Sequence, residues 1–92
     1  MKNTKKIYYS KNISWTLLVD EIFIFDEETN EMFLLRGIMK EFWLLISKTE
    51  NYNEIINTLA MKNNFEKDIY NKILSKTKEL CNKNLIIMEE II

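Results

Sequence analysis

Covalent catalysis needs a nucleophile beside a base, and this chain of 92 residues has one cysteine, Cys81, and no histidine to activate it. A lone cysteine at the edge of an apolar stripe reads as a small buried hydrophobe rather than a nucleophile. Carboxylates adjoin at Asp26-Glu27-Glu28 and at Glu89-Glu90. The first group falls in a turn and the second in a tail, where solvation prevents the pKa separation that an acid and base pair requires. No Cys/His set has zinc spacing, and the single glycine, Gly37, rules out a glycine-rich phosphate loop. The expectation is a non-catalytic protein without metal or cofactor. What remains to explain is a hairpin that is apolar on both faces, and lysines at 72, 76 and 83 that fall on one flank of a helix.

The hairpin comes from the segments Glu21-Ile-Phe-Ile-Phe-Asp26 and Glu31-Met-Phe-Leu-Leu-Arg36, joined over Glu27-Glu28-Thr29-Asn30. A hairpin in a small domain normally buries one face and wets the other, so its residues alternate apolar and polar. These do not alternate. The two-residue period puts Ile22, Ile24, Met32 and Leu34 on one side and Phe23, Phe25, Phe33 and Leu35 on the other. A second element must cover the surplus, and the Ile7-Tyr8-Tyr9 segment, a second copy of the chain or a ligand are all open at this point.

The surrounding elements follow from period and punctuation. Ile13 to Val19 is rich in β-branched and aromatic residues and pairs with the hairpin, giving a three-stranded antiparallel sheet. Beyond Gly37 the period becomes helical. Ile38, Phe42, Leu45 and Ile46 share a face that Met39 and Trp43 widen, ending near Ser47. Asn51 with Glu54 resembles a capping box, followed by Ile55, Ile56, Leu59 and Ala60 in a second helix that Asn63-Asn64 breaks. Asn64 is expected to cap a third helix from Phe65 to Asn82, centred on Ile69, Ile73, Thr77 and Leu80. After a stop at Asn84, residues 85–88 read as a short extended segment. The expectation is one α+β domain over 13–88, with an N-terminal arm over 1–12 and a tail over 89–92. The order is that of a winged helix-turn-helix with its sheet moved to the front.

Net charge is −1, which gives no global attraction to nucleic acid. No apolar run approaches the roughly 20 residues of a membrane span, and the cysteine usage fits a reducing, cytoplasmic compartment.

The residues Phe25-Asp26-Glu27-Glu28-Thr29-Asn30-Glu31-Met32-Phe33-Leu34-Leu35, then Phe42-Trp43-Leu44-Leu45-Ile46, then Glu54-Ile55-Ile56, and finally Leu80 through Leu85-Ile86 resemble the PqqD-like family. That family comprises leader-peptide recognition domains for ribosomally made, post-translationally modified peptides. The resemblance runs from Trp15 to Ile87. It departs where the family usually opens its first helix with an Asn cap and small residues, since this chain has Arg36-Gly37-Ile38-Met39.

The resemblance implies that a leader peptide docks as an added strand on the edge Met32, Phe33, Leu34, Leu35 and Arg36, in a cleft walled by the third helix. Around Ile73 that helix carries Tyr70, Leu74 and Cys81 on one flank and Lys72, Lys76 and Lys83 on the other. Either flank is open to face the cleft. A lysine row on a helix is more often a solvated surface than a ligand contact, so pattern alone does not choose. The implied partners are a precursor leader and a separate maturation enzyme, such as a radical enzyme, a lasso-type protease and cyclase pair, or a cyclodehydratase. The alternative is a small winged-helix DNA-binding regulator, against which stand the acidic balance and a third helix with only Asn71 and Asn82 beside its lysines.

Overall fold

The computed structural model describes residues 4–64 and 66–91. It is an α+β arrangement of five strands and three helices: β1 Thr4–Tyr9, β2 Ile13–Leu18, β3 Glu21–Asp26, β4 Met32–Arg36, α1 Ile38–Ile46, α2 Tyr52–Lys62, α3 Lys67–Asn82 and β5 Ile86–Ile91. Strands β2, β3 and β4 form an antiparallel sheet in that order, and β1 pairs antiparallel with β5 in a separate two-stranded sheet. Residues 4–9, expected to be part of an arm, thus form a strand whose Ile7 is fully buried. The extended segment expected over 85–88 continues as β5 to Ile91 because β1 supplies its ladder partner.

The register of the hairpin corrects the expected faces. Ile22 pairs with Leu35, Phe23 with Leu34, Ile24 with Phe33 and Phe25 with Met32. Directly opposed residues share a face, so Ile22 and Ile24 lie with Phe33 and Leu35, not with Met32 and Leu34. The two-residue period fixes faces within each strand, but the number of turn residues fixes how the strands are phased. Residues 27–30 make a four-residue connection, in which Asp26 accepts the backbone N–H groups of Glu28 and Thr29 through Oδ1 at 2.9 and 3.3 Å. Asn30 takes the left-handed conformation, which Asn tolerates better than most residues.

One face of this sheet packs on the helices. Ile22 and Ile24 are fully buried with Phe42 and Trp43 of α1, Ile55 and Leu59 of α2, Ile73 of α3, and Leu85. Tyr9 lies against both Trp15 and Trp43, with ring centroids at 5.5 and 4.7 Å, and its hydroxyl donates to the Trp43 carbonyl at 2.5 Å. Burial pushes the Tyr9 phenol up to about 12. Ile7 and Tyr9 therefore pack on the core while the Tyr8 hydroxyl donates to Glu89 at the surface, and the outer face of the main sheet is left uncovered by this segment. On that face Phe23 and Phe25 are half-buried, and Met32 and Leu34 are 67 and 42 % exposed.

Helix boundaries depend on local hydrogen bonding. Asn51 caps α2 as expected, its side chain accepting from the Glu54 N–H at 3.1 Å. Asn64 does not cap α3. It adopts a positive φ of 58° just after α2, and α3 starts at Lys67 behind Glu66 without a side-chain cap. Asn84 also has positive φ, and the Leu85 N–H closes back on the Leu80 carbonyl at 3.1 Å, a C-terminal closure of the kind that ends helices. In α1 the buried face is Met39, Phe42, Trp43 and Ile46, while Ile38 and Leu45 are half-buried, so the helix is rotated slightly from the expected stripe.

Two backbone positions lie in the left-handed region without favourable side chains. Val19, at the β2–β3 turn, has φ 58° and is 93 % exposed, a conformation that a β-branched residue adopts only at a cost of about 1–2 kcal/mol. Gly37 begins α1 at φ 62° and ψ −134°, a region nearly confined to glycine, although an added Cβ would meet no heavy atom within 4 Å. Chemical denaturation should therefore show Val19→Gly more stable by about 1 kcal/mol. By the same measurement Gly37→Ala should lose about 1–3 kcal/mol through backbone strain alone, and Asn51→Ala about 1 kcal/mol through its lost cap.

Candidate functional site

Strand β4 is the terminal strand of its sheet, and its hydrogen-bond phase decides which backbone groups are free. The Asp26 N–H donates to the Glu31 carbonyl at 2.9 Å, so the backbone groups of residue 26 point toward β4. Alternation along an antiparallel ladder then turns the N–H and C=O of Phe33 and Leu35 toward β3. Those of Met32, Leu34 and Arg36 turn outward to the free edge. The other side of β3 agrees: the Glu27 N–H donates to Asn12 on the β2 side at 2.9 Å.

Across from this edge runs α3. Between them lies a cleft of about 280 Å³ with Phe33, Leu35, Met39 and Leu80 as its apolar lining and Lys76, Glu79 and Lys83 on its helical wall. The lysine flank of α3 therefore faces β4. Tyr52 and Leu74 line two separate hollows on the other side of α3, one of which also includes Cys81 and Met88. Helical geometry explains the division: positions 76, 79, 80 and 83 form one i, i+3, i+4, i+7 row, and Leu74 and Cys81 form another.

The charges on the wall are linked. Glu79 Oε2 lies 3.3 Å from the Lys76 ammonium and Glu79 Oε1 lies 3.5 Å from that of Lys83. Lys76 chiefly, and Lys83 with it, hold the Glu79 carboxyl below the usual carboxylate range. The Lys83 ammonium also sits 5.1 Å from the centre of the Phe33 ring, a cation–π contact that bridges α3 to β4 across the cleft. Beyond this bridge a second cavity, of about 540 Å³, is lined by Asp26, Glu28, Glu31 and Asn84 among others, and shares Phe33 and Lys83 with the first.

Of the residues singled out in the sequence, Phe33, Leu35 and Lys76 line the cleft, and Met32 and Leu34 border it along β4 although their side chains lie on the outer face. Arg36 instead points to the outer face, where it pairs with Glu21 at 2.6 Å, the residue opposite it in the ladder. Ile73 is fully buried in the core, because it is the centre of the apolar stripe rather than its edge. Leu74 faces the opposite hollow, Tyr70 is half-buried and outside the cleft lining, and Lys72 is exposed one turn before Lys76. Met39, Glu79, Leu80 and Lys83 complete the lining. The signal for the last three was the helical row through Lys76, which extends to Glu79, Leu80 and Lys83 once the facing flank is known; Met39, on α1, had none.

Burial pushes the Cys81 thiol up, which disfavours the nucleophilic thiolate. Among the described residues no group of three or more His, Cys, Asp or Glu is placed to hold a metal ion. No helix is long and apolar enough to cross a membrane.

No protein-family model matches the chain, and no curated protein matches it in sequence. Among solved structures it is similar to TbiB1 in complex with the TbiA(beta) leader peptide, with a TM-score of 0.78 over 86 % of this chain and 93 % of that one, at 18 % identity. The likeness bears out the kind of fold implied by the hairpin and helix motifs: this chain is built like a protein solved with a leader peptide bound.

Proposed function

We propose that this protein is a non-catalytic peptide-binding module that captures the leader of a ribosomally made precursor by adding it as a strand to β4, and presents it to a separate modifying enzyme. The observation that carries the reading is the outward-facing backbone of Met32, Leu34 and Arg36 beside a cleft of mixed apolar and basic lining. An edge strand with free N–H and C=O groups is a template for another strand, and side-chain hollows beside it supply selectivity. The fold likeness to TbiB1, solved in complex with a leader peptide, supports the same use of the fold. In this reading the enzyme partner is one that modifies the precursor after capture.

Proline substitution separates edge pairing from fold stability. Leu34→Pro removes a donor that faces the free edge, the one place in a sheet where proline is tolerated. Phe33→Pro removes a donor used by β3. Titration calorimetry with synthetic peptides covering the N-terminal halves of short reading frames beside the gene should give micromolar or tighter binding to the parent protein. It should give none to Leu34→Pro, which keeps its circular dichroism spectrum, whereas Phe33→Pro should lose that spectrum. Unchanged affinity in folded Leu34→Pro would sink strand addition at β4.

Charge on the cleft wall should act on association. Lys76→Glu should slow peptide binding and flatten its salt dependence in stopped-flow measurements, whereas Lys72→Glu, outside the lining, should leave both close to the parent values. Duplex DNA from the protein's own locus should not be retained at physiological salt. Sequence-specific shifts that survive competitor DNA, without peptide binding, would favour a DNA-binding regulator instead.

A further inference from the structure

The phase of β4 also dictates which side chains of an added strand the cleft would meet. Residues opposite Met32, Leu34 and Arg36 turn their side chains to the outer face of the sheet, and in an antiparallel pairing they exchange hydrogen bonds with the edge. Residues opposite Phe33 and Leu35 turn theirs into the cleft. These two are separated by one intervening residue, whichever way the added strand runs.

The two cleft positions differ chemically. The lining that Leu35 shares includes Met39 and Leu80, each only 5 % exposed, together with Lys76, whose charge is met by Glu79 at 3.3 Å. Next to Phe33 stands the Lys83 ammonium, over the ring at 5.1 Å. Lys76 and Lys83 share one carboxylate, Glu79, which lies nearer Lys76, and no other carboxylate among the described residues comes within 4.0 Å of either. The wall thus carries one positive charge in excess. Toward the turn that excess meets carboxylates, because the next cleft-facing position lies opposite Glu31 at the cavity lined by Asp26 and Glu28.

Resting on the reading of this cleft as a strand-docking groove, we infer that it selects peptides with an aliphatic side chain opposite Leu35 and an acidic side chain two residues away, opposite Phe33, where Lys83 pairs with it. The aliphatic anchor contributes by burial, and the acidic one by a charge-assisted hydrogen bond that sets register as well as affinity. Slippage by one residue would send both anchors to the outer face.

The test is selection of a display library of random twelve-residue peptides on immobilised full-chain protein, on Lys83→Glu and on Leu34→Pro, each variant first shown folded by circular dichroism. The parent protein should enrich peptides with an aliphatic residue and an Asp or Glu two positions apart. Lys83→Glu should keep the aliphatic preference and exchange the acidic one for Lys or Arg. Converting the acidic residue of an enriched synthetic peptide to Lys should weaken parent binding about tenfold and improve binding to Lys83→Glu. If the parent and Lys83→Glu pools match at that position while Leu34→Pro enriches neither, the groove stands and the role of Lys83 is overturned. If the parent enriches nothing beyond Leu34→Pro, the strand-docking reading fails, and this inference with it.

Discussion

The phasing of β4 against β3 is the constraint on which the rest of the site depends. Four residues over 27–30, held by the Asp26 carboxylate and by the left-handed Asn30, place Phe33 and Leu35 on the same face as Ile22 and Ile24. One residue more or fewer in the turn would exchange the faces of β4 relative to β3. It would put Met32 and Leu34 over the core, turn Phe33 and Leu35 outward, and alter which backbone groups meet the free edge. A short polar turn thus sets both the packing of the sheet and the presentation of its edge.

Stability and recognition draw on different interactions in this fold. Each large side chain fully buried between the sheet and the helices contributes about 1.5–3 kcal/mol, and Ile22, Ile24, Phe42, Trp43, Ile55, Leu59 and Ile73 are all in that class. The ion pairs are exposed and contribute little to folding by comparison. In the proposed reading Lys76, Glu79 and Lys83 are therefore free to vary in the service of binding, while the buried Met39 and Leu80 of the cleft lining would serve both purposes.

The two-stranded β1–β5 sheet has a supporting role. It brings the two ends of the described chain together, buries Ile7 and Ile86, and brings Tyr9 against Trp15 and Trp43. Trp15 belongs to β2 and Trp43 to α1, so this aromatic group ties the sheet that carries the candidate edge to the first helix. Rigidity behind β4 matters because an edge strand recognises a partner through hydrogen bonds whose spacing must be held in advance.

The sequence by itself determined the elements: three strands of the main sheet, three helices, the Asn51 cap and the stop at Asn84 are all written in local periodicity and side-chain hydrogen-bonding capacity. It also marked the hairpin as too apolar on both faces to be left alone. It misjudged the hairpin faces, because period counts residues within a strand and not across a turn. It assigned the third helix's cap to Asn64, which instead takes the left-handed conformation, and it left 4–9 as an arm because a strand is only as visible as its partner, here 81 residues away in the Ile7–Met88 pair. The flank of α3 that faces β4 was decided only by tertiary structure. Both flanks border the same apolar stripe, and a helix's own sequence fixes the angle between its flanks but not its rotation against a neighbour, which is set when Ile73, Thr77 and Leu80 lock into the core.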